Sequence, residues 1–193
     1  MQIRMTADQQ ALVDQVKRFA EREIRPFERD AEKDPHYGKA LLKRLGHGRL
    51  LGLNLPEEYG GIGLSHLDGA LCIEEMGRHS LDAAGYMAAA SLGQAHYILS
   101  FGTEAHRRRY LPAICAGEYT TAIAISEPGA GTASTALTTR AVFENDQIMI
   151  DGRKHYVSNV PNAGLFIVYA RVGGRAGGED VEREHQQHPG SGE

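Results

Sequence analysis

Two short blocks hold the residue types that could do chemistry. In Ala124-Ile125-Ser126-Glu127-Pro128-Gly129-Ala130-Gly131-Thr132, two hydroxyls flank a run of glycine and alanine. Missing or small side chains let backbone N–H groups approach a phosphate closely. The second block, Gly152-Arg153-Lys154-His155-Tyr156-Val157-Ser158-Asn159, follows an Asp151-Gly152 turn. Its pattern predicts a strand over 153–158, with Tyr156 and Ser158 on one face because side chains alternate along a strand. A ring and a hydroxyl on one face suit a flat heterocycle that makes hydrogen bonds, so the expected chemistry is the holding of a planar, phosphate-bearing ligand.

Other candidates carry less. Glu127 lies inside the first block, but a carboxylate beside a proline turn ordinarily accepts loop N–H groups, so its expected role is structural and no catalytic residue is assigned. Arg107-Arg108-Arg109 would spread over three sides of a helix, which fits a solvated face better than a grip on one phosphate. The nine histidines show no HExxH or Cys/His ligand spacing, so no metal site is expected. Cys72 and Cys115 fall in amphipathic helical patterns without a CxxC pair and read as reduced core residues.

Composition narrows the class. The 193 residues are 41% hydrophobic and 24% charged, as in a soluble globular protein. A net charge of −4 gives no reason to expect a nucleic acid or an anionic membrane as partner. The N-terminus lacks the apolar run of a signal peptide, and no stretch approaches the ~20 apolar residues that span a bilayer, so a cytoplasmic location is expected.

The elements that must position the two blocks come in two kinds. Thr6 with Gln9 reads as a capping box opening a helix over 7–25, its end disturbed by Pro26. A shorter helix is predicted over 39–45, closed by Gly46 and Gly48, and Leu53–Gly61 reads as loop. Ser65 and Asp68 open a helix to about Gly77; residues 82–101, apolar nearly all round, predict one buried central helix; Thr103 caps another. From Glu118 the period changes to alternation, with strands predicted over 119–125, 137–143, 147–151, 153–158 and 165–172, and turns at 144–146 and 151–152. Helices followed by strands, without βα alternation, argue for α+β and against a parallel Rossmann sheet. Residues 173–193 hold six glycines and five acids against two arginines, which predicts a disordered tail.

The two blocks together resemble the flavin-cradling signature of the acyl-CoA dehydrogenase family. Leu55-Pro56-Glu57-Glu58-Tyr59-Gly60-Gly61 is similar to the family's loop between N-terminal helices. Phe101-Gly102-Thr103-Glu104, with Arg108-Arg109-Tyr110-Leu111-Pro112 and Gly117-Glu118, resembles the segment leading into its β domain. The resemblance spans residues 6 to 172. It implies an N-terminal all-α helical domain over 1–118, a partial antiparallel β domain over 119–172, and then the tail.

By the same resemblance the cofactor is FAD and the substrate an acyl-CoA thioester, dehydrogenated between Cα and Cβ. Ser126 stands at a usual threonine and would face the pyrimidine edge of the isoalloxazine, with backbone groups of Ile123 and Ile125 offered to the ring. Gly131 and Thr132 would meet the pyrophosphate, Thr132 replacing a usual serine. Tyr156 takes the place of a tryptophan packed on the ring, and Ser158 that of a threonine near N5. Ala133 departs from the family's common aspartate, which removes one loop acceptor. The family's base lies in a C-terminal helical bundle that this sequence does not contain. The expectation is therefore a truncated or split member, inactive alone, that forms homo-oligomers or pairs with a second chain supplying the bundle. The rivals are a non-catalytic scaffold subunit that docks a dehydrogenase chain, and an oxidase or monooxygenase on the same scaffold.

Overall fold

The computed structural model describes residues 4–31, 34–144 and 147–172. The tail expected over 173–193 and the centre of the turn expected at 144–146 lie outside the described residues. Helices come first and strands in small sheets afterwards, an α+β order. The chain divides into two compact units: Met1–Ala122 together with Asn159–Leu165, and Ile123–Ser158 together with the residues from Phe166 onward.

The first unit is built from α1 (Ala7–Phe19), α2 (Arg25–Ala31), α3 (Tyr37–His47), α4 (His66–Gly77), α5 (Leu81–Ser91), α6 (Ala95–Phe101) and α7 (Glu104–Cys115). The capping box is present: the Gln9 N–H donates to Thr6 Oγ1 at 3.2 Å and the Thr6 N–H to Gln9 Oε1 at 3.0 Å. Pro26 does not end this helix, contrary to the sequence expectation. A π-turn over Ala20–Ile24, in which the Arg25 N–H reaches back to the Ala20 carbonyl, precedes the proline, and the helix resumes as α2. The widened turn relieves the crowding that a proline ring otherwise imposes on the preceding turn.

Two further boundaries differ from expectation. Helix α3 runs through Gly46 to His47, because Gly46 is there for closeness and not for termination: a Cβ on it would lie 2.2 Å from the Ala116 carbonyl oxygen. The predicted helix over 82–101 is two helices, broken at Leu92-Gly93-Gln94. An all-apolar pattern has no phase from which a break can be read, and Gly93 weakens the helix locally.

Helix α5 packs against α3, α4 and α6, as expected of a central element, and buries Ala83, Met87 and Ala90. Around it Ile24, Leu41, Leu45, Met76, Leu111 and Ile114 are fully buried, each contributing roughly 1.5 to 3 kcal/mol of burial. The Leu53 N–H, buried in this core, donates to Ser91 Oγ at 3.0 Å. Residues 159–165 return to the same unit: Asn162 Nδ2 donates to Tyr86 Oη at 3.0 Å and Leu165 packs on the core.

The strands are β1 (Thr120–Ala124), β2 (Arg140–Glu144), β3 (Gln147–Asp151), β4 (Ala163–Val168) and β5 (Arg171–Val172). They form two sheets, β1-β4 and β3-β2-β5. Strands β2 and β3 pair antiparallel, with Arg140 opposite Asp151 and Glu144 opposite Gln147. The pairing of β2 with β5 is parallel, which corrects the purely antiparallel expectation. The long path from β2 to β5 through β3 and β4 leaves room for the crossover that parallel pairing needs. The strand expected over 153–158 does not form. Val142, Phe143, Ile148, Met149 and Ile150 are 48–59% exposed, and Phe166 and Val168 are exposed as well.

Candidate cofactor-binding site

The second unit contains every residue singled out for ligand contact, from Ile123 to Ser158. Its first block leaves β1 and closes a tight turn, in which the Glu127 N–H donates to the Ala130 carbonyl at 2.8 Å and the Ala130 N–H to the Glu127 carbonyl at 3.1 Å. Pro128 sets the φ of the turn's second residue. Neither Gly129 nor Gly131 has a positive φ, and a Cβ on either would meet nothing within 4 Å. The fold itself therefore makes no demand for glycine at these two positions.

The loop is held from inside by Glu127. Its Oε2 accepts the Thr138 N–H at 2.6 Å and the Thr138 hydroxyl at 2.7 Å. Its Oε1 accepts the Thr139 N–H at 2.9 Å, the Thr139 hydroxyl, and Lys154 Nζ at 2.8 Å. Lys154 Nζ also donates to the Ile125 carbonyl at 3.0 Å. The side chains of Lys154 and Glu127 are only 11% and 2% exposed. Lys154, then Thr138 and Thr139, hold the Glu127 carboxyl well below the usual carboxylate range, so it is ionised and fully used. The structural role expected for Glu127 is what the geometry shows.

The second block is irregular backbone tied to the first by a main-chain bond, the His155 N–H to the Ser126 carbonyl at 2.8 Å, in addition to the Lys154 contacts. Glycine is needed where the block starts, since a Cβ on Gly152 would lie 2.4 Å from Thr139 Oγ1. Tyr156 and Ser158 do not share a strand face. Tyr156 has a φ of 53° and is 93% exposed, its ring stands edge-on to His155, and Ser158 is exposed in a turn that passes through Asn159 at φ 66°. The alternation argument fails because these residues pair with no neighbouring strand.

The structure thus brings Ile125 and Ser126 together with Lys154 and His155. Ile123 lies half-buried on β1, and Gly131 and Thr132 are exposed just beyond the turn. Among the described residues, the N–H groups of Ser126, Gly131 and Thr132 and the Ser126 hydroxyl have no acceptor or donor in the chain. These free donors, a hydroxyl and an exposed aromatic ring fit a phosphate-bearing planar cofactor. Sequence reasoning missed Thr138, Thr139 and Lys154. The available signal was Glu127 itself, because a buried structural carboxylate needs a cation, and the second block holds one at Lys154.

Comparison with known proteins agrees with this architecture. Residues 6–118 match the family profile "Acyl-CoA dehydrogenase, N-terminal domain" and residues 122–188 the profile "Acyl-CoA dehydrogenase, middle domain". The chain belongs to the acyl-CoA dehydrogenase family. It is 31% identical over 182 residues to a protein of Bacillus subtilis strain 168 described as a probable acyl-CoA dehydrogenase, covering 94% of this chain and 48% of that protein. It is 32% identical over 154 residues to a 3-(aryl)acrylate reductase of Clostridium sporogenes, covering 80% of this chain and 41% of that one. A solved acyl-CoA dehydrogenase from Bacillus anthracis, complexed with FAD, superposes with a TM-score of 0.77 at 31% identity, covering 87% of this chain and 30% of the other. The chain spans less than half the length of these relatives.

Proposed function

We propose that this chain is the helical and flavin-holding part of an acyl-CoA dehydrogenase-type oxidoreductase that takes FAD and an acyl-CoA thioester. Ser126, with backbone groups of Ile123 and Ile125, would hold the edge of the isoalloxazine; Gly131 and Thr132 would hold the pyrophosphate; Tyr156 and Ser158 would flank the ring. Bound FAD supplies the acceptor for a hydride leaving the substrate's Cβ. The observation that carries the reading is the pair of unused amides at Gly131 and Thr132, in a loop that has no internal need of its glycines.

Glu127 is not the base for the α-proton, because its carboxylate is spent on Lys154, Thr138 and Thr139. A general base must be within reach of the proton and free to take it. The α-proton must accordingly be taken by a group other than Glu127. Isothermal titration with FAD, FMN and NAD tests the cofactor assignment: preference for FAD is expected, and tight NAD binding without FAD binding sinks it. Turnover by the chain alone would place the base among its own acids, Glu57, Glu58, Glu74 and Glu75 being the ones to substitute.

A second reading, a flavin-free scaffold subunit, draws on the exposed apolar residues of β2 and β3. It expects a colourless protein that captures a dehydrogenase chain, which flavin absorbance of the purified complex decides.

A further inference from the structure

Ile125, Ser126 and Glu127 are three consecutive residues, and all three are tied to the pair Lys154-His155: the Ile125 carbonyl and the Glu127 carboxylate by Lys154 Nζ, the Ser126 carbonyl by the His155 N–H. In a trans peptide the carbonyl and the following N–H point in opposite directions. Turning the Ile125 carbonyl toward Lys154 therefore turns the Ser126 N–H away from it. The next peptide is used up internally, since its carbonyl takes the His155 N–H and its Glu127 N–H goes to Ala130. The Ser126 N–H is thus left free at this corner, beside the Ser126 hydroxyl, and its direction is set by where Lys154 holds the Ile125 carbonyl.

We infer that Lys154 is a positioning residue: bridging the Ile125 carbonyl and the Glu127 carboxylate, it orients the Ser126 N–H and hydroxyl as a donor pair for the acceptor edge of a bound flavin. The inference rests on the cofactor reading above. Lys154 itself touches no ligand; with its ammonium shared between two internal acceptors and only 11% of its side chain exposed, it acts through the peptide it holds. Its charge offsets that of Glu127, and its reach removes a carbonyl that would otherwise repel a carbonyl-bearing ring edge.

The test uses the 193-residue chain with Lys154→Met and Lys154→Arg, read by amide hydrogen exchange over residues 124–132 and by FAD titration. Lys154→Met is expected to raise exchange in that loop while the amides of α3 to α5 keep their protection, and to weaken FAD binding roughly 10- to 100-fold, the worth of a charged hydrogen bond. Lys154→Arg keeps charge and donors and is expected to restore both. Should Lys154→Met not fold, Lys154→Gln, which keeps a donor for one acceptor, takes its place with the same expectations. Unchanged loop exchange overturns the inference, and so does faster exchange with unaltered FAD affinity, which would make the contact merely structural. If the parent chain binds no FAD, the cofactor reading fails, and the positioning role with it, while loop exchange still reports whether Lys154 clasps the loop.

Discussion

At the scale of single residues, the carboxylate of Glu127 shows how a surface-looking motif becomes internal scaffolding. Hydrogen bonds from Lys154, Thr138 and Thr139 depress its proton affinity, so the stability it contributes is present above the ordinary carboxylate range and is lost as pH falls toward its own lower value. Protection of the Thr138, Thr139 and Ala130 amides, taken as exchange relative to the intrinsic rate at each pH, should therefore fall as the pH drops from about 7 to about 3. In Glu127→Gln that protection should be lower at neutral pH and nearly independent of pH, since the neutral amide leaves Lys154 without its counter-charge. That Glu127 is structural is legible from the proline turn beside it. Its partners are not, because they lie 11 to 27 residues away along the chain and meet it only once the loop and the second block fold back.

At the scale of elements, the caps at Thr6, Ser65 and Thr103 are legible, since each satisfies orphan N–H groups with residues only three apart. Boundaries set by packing are not. Gly46 reads as a helix terminator, yet it sits inside α3 against the backbone of Ala116. Gly46→Ala should accordingly lower the melting temperature, even though alanine is favoured over glycine in a helix by about 1 kcal/mol. Gly85, exposed within α5 and with open space within 4 Å of where a methyl group would stand, is the control: Gly85→Ala should raise stability by roughly 0.5 to 1 kcal/mol. Thermal melts followed by helical circular dichroism separate the two signs. The parallel pairing of β2 with β5 is likewise illegible, because alternation reports which face a residue takes but not which strand lies beside it.

At the scale of the whole molecule, the order of helices before strands follows from the change of period near Glu118. The extent of exposure on β3 does not. Among the described residues β3 is bonded only to β2, and Ile148, Met149 and Ile150 are all more than half exposed. An open edge with apolar side chains on both faces seeks another strand. Self-association is therefore expected on size exclusion, and Met149→Lys, a charge at the centre of that edge, should shift the elution toward monomer without lowering the melting temperature of the helices. An unchanged elution profile would exclude β3 as the sticky edge.

The return of residues 159–165 to the helical unit has a consequence in time. A ribosome releases Met1–Ala122 first, but the Asn162 bond to Tyr86 and the packing of Leu165 on the core come from residues made only after the whole of Ile123–Ser158. The helical unit is thus started first yet completed only after the cofactor loop has been made, and that loop is synthesised while the unit still lacks its closing piece. Any chain interrupted between Ala122 and Asn162 would leave Tyr86 without its amide partner and the core without Leu165, so the synthesis of the loop segment and the completion of the helical core are bound into one event.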